Sequence, residues 1–476
     1  FAHNLSATEG VMHSFGSSPQ EIHETALFRS RYFKMLQDGV VDLFLDARRY
    51  AEEKFGYLLY TRAHATWAES PTIDSWRTYN VNGNSRKYEY TSDFVWSNTV
   101  HQAASACHDY FKWGEYLTGT GNDHPEGGWL DRNYYSLALA CSTGFINEIP
   151  YSYCAHWGHP AEVSWRRQQL QNVFGASGGV NVFTLVEDME HRDIDVLMLY
   201  PLDLVSAEER FGSWTTQYGY ANMISQAKLL EMGKVINGGI EVAGRRFTTL
   251  ATNFEPFPTT QLLGMMKELA ESGGKVIWSG PPPIIDRDGN TVLEGWQELF
   301  GVSYNLMAGG WGLAVPGHEV KFEGVLENVA SQNILTDFLV DHIYPVTPQN
   351  DSEIVARCGK YLVGTCRKVA NGGVLLYLGY RPRDDQSASL GYETRNWFEV
   401  LHAIGSYSSD GNTEVISRTT DYAACRFPNG TIAIAPHLTG LEEAWSGGFA
   451  RNQEEDDAIT KQLDLPPREM SLKSCK

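Results

Sequence analysis

At 476 residues, with a formal net charge of −20 and a pI near 5.1, the chain has room for several domains of roughly 150 residues each, and it is too acidic for a phosphate-binding surface. Nucleic acid is therefore excluded as an expected partner; a neutral substrate fits better, and the acidity by itself serves solubility. Apolar content of 42% with 20% charged residues is that of a soluble globular protein, and no apolar run reaches the length of about 18 residues needed to span a bilayer, so no membrane partner is expected.

Seven cysteines, an odd number without CxxC spacing, indicate neither a disulfide framework nor a zinc ribbon and mildly favour a reducing, cytoplasmic compartment. No basic segment leads into an apolar one near Phe1, so no signal peptide is visible, and the true N-terminus is expected upstream.

In chain order, the first regime runs from residue 1 to about 190. It holds seven of the thirteen tryptophans, which concentrates flat apolar faces in this part of the chain. Periodicity predicts a helix over Pro19–Phe55, then strands over Tyr57–Thr66 and Asp93–Ser97. An amphipathic stretch over Asn98–Leu117, closed by Gly119 and Gly121, comes next. After it stand a short segment Asp123–Trp129, a helix Asn133–Phe145 and a strand Tyr151–Trp157. Strands separated by helices imply a parallel sheet, and loops after its strands are where a (β/α)8 barrel carries chemistry. Only about four such units are countable where a barrel has eight, so the C-terminal half of a barrel is expected over residues 1–190.

The second regime, 193–407, reads as a doubly wound α/β unit in flavodoxin-like order. Its strands are Asp195–Tyr200, Arg246–Thr252 and Lys275–Ser279; its helices are Tyr220–Met232 and Thr259–Glu271, the latter ended by Gly273–Gly274. No GxGxxG fingerprint follows any of these strands, so no nucleotide cofactor is expected, and structural or assembly roles suit the unit better. The third regime, 413–476, reads as a small β-domain with strands over Tyr422–Phe427 and Thr431–Ala435 around Pro428–Asn429–Gly430, before the acidic stretch Glu454–Asp457.

Candidate chemistry concentrates in the first regime. In NDHPEGGW, Glu126 follows a strand-length segment and precedes a helix. Gly127 and Gly128 let the backbone turn and a ligand approach, and Trp129 offers a face on which sugar C–H groups stack. Such a carboxylate, with His124 beside it, can attack an anomeric carbon; it can equally cap the following helix. In TRAHATWAESP, again after a strand, His64, Trp67 and Glu69 reach a barrel mouth, and Pro71 favours an extended loop there; His64 and Trp67 also fit a hydrogen-bonded core pair. Glu9, in SATEG, suits the end of a strand and an acid/base role, or else an exposed acid near a terminus. Trp96 and Asn98 at one strand end, with Tyr153 and Trp157 in the last strand, complete an aromatic and polar cleft for a hydroxyl-rich ligand. Glu115 falls mid-helix by period. The histidines show no HExxH spacing, no GxSxG elbow opens a helix, and His156 and His159 are ordinary loop histidines, so no metal site is expected.

On TRAHATWAES, NDHPEGGW and DVLMLYPLD, the chain resembles the clan of barrel glycosidases that holds the family 42 β-galactosidases and related β-mannosidases. The resemblance implies a barrel, a flavodoxin-like trimerisation domain and a small β-domain in that order. It further implies a retaining mechanism acting on a carbohydrate through two carboxylates about 5–5.5 Å apart. Counting Tyr151–Trp157 as strand eight puts Glu126 after strand seven as nucleophile, and the same count gives Glu9 the acid/base role, although Thr8 stands where that clan has asparagine. The other reading is a catalytically inert carbohydrate-binding or assembly fragment of such an enzyme.

Overall fold

The structure is a computed structural model that describes residues 17–57, 118–119, 147–148, 195–199, 222–242, 244–252, 255–309, 313–314, 318–334, 342–349, 351–380, 399–406, 422–426, 431–436 and 471–474. Helix α1 (Pro19–Phe55) runs over the residues that periodicity predicts. Its start is fixed by the Ser18 side chain, which accepts from the Glu21 N–H, and by Pro19, whose missing N–H costs nothing in the first turn. Its end is fixed by Gly56 at φ 73°, whose N–H returns to the Glu52 carbonyl. The residues buried along it, Ile22, Thr25, Ala26, Arg29, Ser30 and Phe33, follow one helical stripe; beyond Phe33, Leu43, Tyr50 and Phe55 are exposed.

Two short strands, β1 (Thr118–Gly119) and β2 (Asn147–Glu148), pair in parallel. Both differ from the sequence reading, which closed a helix at Gly119 and left Asn147–Glu148 between elements. The elements expected at 57–66, apart from Tyr57, and at 93–97, 98–117, 123–129, 133–145 and 151–157 lie outside the described residues.

The α/β unit begins with β3 (Val196–Leu199), β4 (Asn222–Ile224) and α2 (Gln226–Met232). A single helix over Tyr220–Met232 is expected from period. Instead Asn222–Ile224 pairs with β3, and Ser225 caps the helix by accepting from the Lys228 N–H. A meander follows: β5 (Lys234–Ile236), β6 (Gly239–Val242) and β7 (Arg245–Phe247). Its first turn is the two-residue pair Asn237–Gly238, with φ of 48° and 77°, the left-handed pair that lets two twisted strands meet without splaying. Next come β8 (Thr249–Thr252), α3 (Thr260–Glu271), β9 (Lys275–Ser279) and α4 (Leu293–Phe300). The expected strand Arg246–Thr252 is thus two strands broken at Thr248.

The chain continues through β10 (Val302–Ser303), α5 (Leu306–Gly309), β11 (Leu313–Ala314), β12 (His318–Phe322), β13 (Gln332–Ile334), β14 (His342–Ile343), β15 (Thr347–Pro348), β16 (Ser352–Cys358), β17 (Tyr361–Lys368) and β18 (Val374–Leu378). A helical turn at 399–403 follows, and β19 (Tyr422–Arg426), β20 (Thr431–Pro436) and β21 (Ser471–Ser474) form a separate antiparallel sheet. The β19–β20 pair agrees with the expected hairpin; the third strand is additional.

The central sheet is mixed, with nine strands in the order β13-β12-β16-β17-β18-β9-β8-β3-β4. Five of them, β4-β3-β8-β9-β18, are parallel, which in chain order reads 2-1-3-4-5; the other four extend the sheet antiparallel. Alternation splits the core between the two faces. Leu197, Leu199, Leu250, Val276, Trp278, Leu375 and Tyr377 meet α2, α3 and α4 on one face. Val196, Met198, Ala251, Ile277, Leu376 and Leu378 meet Val355, Val363, Val400 and Leu401 on the other. Side chains covered on both faces explain why these strands read as unbroken apolar runs, and each full burial of a large one contributes roughly 1.5–3 kcal/mol. Trp278, Trp296, Phe300 and Tyr377 form an aromatic knot, with ring centroids 5.0 Å apart for Trp296–Tyr377 and 5.9 Å apart for Trp278–Trp296. Helix α1 adds Ala26 and Phe33 to the same core.

Candidate active site

The residues that sequence singles out, Glu9, His64, Trp67, Glu69, Trp96, Asn98, His124, Glu126, Trp129, Tyr153 and Trp157, lie outside the described residues. Among the described residues, the two strands that flank Glu126 in sequence are paired. β1 pairs with β2 in the parallel sense, Thr118 against Asn147 and Gly119 against Glu148. A parallel pair needs a crossover connection of about a dozen or more residues, and the stretch 120–146 meets that length. Glu126 belongs to this connection, on the chain that leaves the carboxyl end of β1. Glu148 closes β2 at the corresponding end of the neighbouring strand. Sequence reasoning missed Glu148; the signal available was the Asn147–Glu148 dipeptide ahead of Pro150, which favours extended backbone at Ile149.

A second cluster of polar groups stands at the carboxyl edge of the parallel strands in the α/β unit. Gln226, which opens α2, donates from Nε2 to a Glu255 carboxyl oxygen and to the Phe257 carbonyl, both at 3.3 Å. Its Oε1 accepts from the Thr259 N–H at 2.6 Å. Burial pushes the Glu255 carboxyl up to about 8, against a weaker opposing backbone hydrogen bond from Phe257, so it is a neutral acid at pH 7. The hydroxyls of Thr252 and Ser279, at the ends of β8 and β9, are buried without a hydrogen-bond partner. Helix α1 lies over this edge. Phe33 meets Phe257 at 6.3 Å between ring centroids, and the Ser30 hydroxyl donates to the Arg287 carbonyl at 3.1 Å.

A groove of about 870 Å³ runs between α3 and α4, floored by Leu263, Leu299 and the bare backbone of Gly264 and Gly295, and rimmed by Lys267 and Arg367. Its rim carries charges of both signs, with Glu271, Glu298 and Asp351 beside the cations, so it has no one-sided preference for an anion. The thiols of Cys358 and Cys366 are free and buried, and burial pushes both up, Cys366 to about 11, which leaves them protonated and unsuited to nucleophilic work. Among the described residues no group of three or more His, Cys, Asp or Glu side chains is placed to hold a metal ion, and no helix is long and apolar enough to cross a membrane.

No protein-family model matches the chain, and no curated protein matches it. Solved structures overlap with it in part. The GH42 β-galactosidase Gan42B aligns at 11% identity with a TM-score of 0.47, over 74% of this chain and 52% of its own. A β-galactosidase from Rahnella sp. R3 aligns at 9% identity and 0.47, over 72% and 52%. A β-galactosidase from Bacillus circulans sp. alkalophilus aligns at 12% and 0.44, over 71% and 51%. The chain spans about half the length of these structures.

Proposed function

We propose that the chain is part of a retaining glycoside hydrolase that cleaves β-linked galactosides or mannosides through a covalent glycosyl-enzyme intermediate. The observation that supports this most is the parallel pairing of β1 with β2, because it makes the NDHPEGGW segment a connection that follows a parallel strand, where barrel enzymes carry their catalytic loops. In this reading Glu126 attacks the anomeric carbon while Glu9, as acid, gives its proton to the departing oxygen. Glu9 then takes a proton from water, which attacks the same carbon and frees the Glu126 carboxylate. Trp67, Trp96, Trp129, Tyr153 and Trp157 stack on the sugar, and His64, Glu69, Asn98 and His124 bond its hydroxyls. Glu148 is the first carboxylate to test in place of Glu9, since it ends the strand paired with β1.

In the same reading residues 1–190 belong to a (β/α)8 barrel, 193–407 to a flavodoxin-like trimerisation-type domain and 413–476 to a small β-domain. The 2-1-3-4-5 order of the parallel strands supports the middle assignment. The trimer is tested by the mass in sedimentation equilibrium.

Hydrolysis of aryl β-galactosides and β-mannosides by the unmodified chain, lost by orders of magnitude in Glu126→Gln, is the expected result. Undiminished hydrolysis in that variant would sink the nucleophile assignment, and no hydrolysis by either protein would favour an inert carbohydrate-binding or assembly fragment. Product-anomer analysis by NMR separates retention from inversion.

A further inference from the structure

Open α/β sheets take ligands in the crevice outside the carboxyl ends of their parallel strands. In this chain that edge is covered beyond β8 and β9 by the first half of α1. Phe33 meets Phe257 in a tilted ring contact past the end of β8, and Ser30 donates to the Arg287 carbonyl, past the end of β9. Leu27 reaches the turn at Gly289 so closely that a Cβ there would stand 2.7 Å from Leu27 Cδ1. Burial of the Arg29 guanidinium, which feels the Tyr344 hydroxyl, continues the contact toward β18, whose Tyr377 hydroxyl donates to the Tyr344 carbonyl. The helix therefore fills the place of a ligand with its own side chains.

Two features make this occupant separable from the unit it covers. Half of its buried stripe is polar, with Thr25, Arg29 and Ser30 set between Ile22, Ala26 and Phe33, so its release returns polar groups to water along with apolar ones. Most of the core beside it comes from other elements, because the sheet face, α2, α3, α4, the β5–β7 meander and the loops around them supply the rest of that cluster, while α1 adds Ala26 and Phe33 as fully buried members with Leu27 and Tyr32 packed at its edge. Elements held by few apolar contacts open at lower free energy than the core beneath them.

We propose that the first half of α1 is a releasable stopper, a helix of the chain itself that closes the ligand edge of the α/β unit and, on leaving, opens a crevice shaped for an amphipathic helix. Hydrogen exchange followed by mass spectrometry on the full chain tests it. In the unmodified protein, amides of 19–36 should exchange at least about 10-fold faster than those of 260–271 and 275–279, as a sub-global opening requires. Ala26→Glu should speed the 19–36 amides by a further factor of about 10 or more and raise binding of an apolar dye, with 260–271 unchanged. A synthetic peptide of residues 17–37 added to that variant should reverse the dye binding. Leu43→Glu, in the exposed half of α1, should change none of these readings. Equal exchange of 19–36 and 260–271 in the unmodified chain would overturn the proposal, as would joint acceleration of both in Ala26→Glu, dye binding that the peptide leaves unchanged, or an effect of Leu43→Glu as large as that of Ala26→Glu.

Discussion

Replacing Glu255 by glutamine should make the α/β unit more stable at alkaline pH and leave it nearly unchanged in mild acid. Burial raises the Glu255 carboxyl from an ordinary 4.5 to about 8, so between those values the folded chain holds a proton that the unfolded chain has lost. Stability from this group is complete below about pH 4.5, falls as pH rises through the window to about 8, and is flat beyond. At 1.36 kcal/mol for each pH unit of difference, the total loss is on the order of 5 kcal/mol. Glutamine keeps the size of the side chain and a carbonyl oxygen for Gln226 Nε2, and it does not ionise. The chain has more than one folded unit, so bulk fluorescence would mix transitions; urea unfolding is better read by pulse-labelled exchange on 226–232 and 260–271. At pH 5 parent and variant should unfold within about 1 kcal/mol of each other, and at pH 8.5 the variant should be several kcal/mol the more stable. Parallel stability profiles for the two proteins across that window would refute the reasoning, because they would mean that Glu255 ionises as easily folded as unfolded.

Three further changes report on the frame of the same unit. Trp296→Ala empties the centre of the aromatic knot and should cost about 3–5 kcal/mol in urea unfolding read at 260–271. Thr259→Ala removes the oxygen that accepts from the Leu262 N–H at 3.1 Å and should cost about 1 kcal/mol, which Thr259→Ser should largely restore. Gly238→Ala sets a Cβ 2.8 Å from the Ser272 carbonyl oxygen at a φ of 77°, and a loss of about 1–3 kcal/mol is expected from differential scanning calorimetry.

How much of this architecture the sequence discloses depends on how far each element's cause reaches along the chain. Helix α1 is legible because its causes are local: Ser18 and Pro19 at one end, Gly56 at the other. β3 and β9 are legible because burial on both faces writes itself as DVLML and KVIWS. The misreading at 220–232 is of another kind. Asn222–Ile224 carries a helical period, and only its pairing with β3 makes it a strand, while the local sign of the break, Ser225 three residues ahead of Lys228, went unread. The meander also left a local sign unread, since Asn237–Gly238 is the residue pair that a two-residue hairpin demands. The pairing of β12 with β16 is illegible for a stronger reason: Val320 meets Cys358 only after β13, β14 and β15 have intervened, and no short-range pattern encodes that closure.

The proposed site repeats the contrast. Glu126 stands out in sequence through its glycines and Trp129, whereas Glu148 gains interest only once β2 is seen to lie beside β1. The docking of α1 is the extreme case. Ile22, Ala26 and Phe33 announce an apolar stripe, but the stripe does not name the surface it covers. That surface lies past the carboxyl ends of β8 and β9, at Phe257, Arg287 and Gly289, residues far from α1 in sequence. A helix held there by a half-polar stripe has less apolar burial to lose than the core beside it, and such places are where a fold opens first.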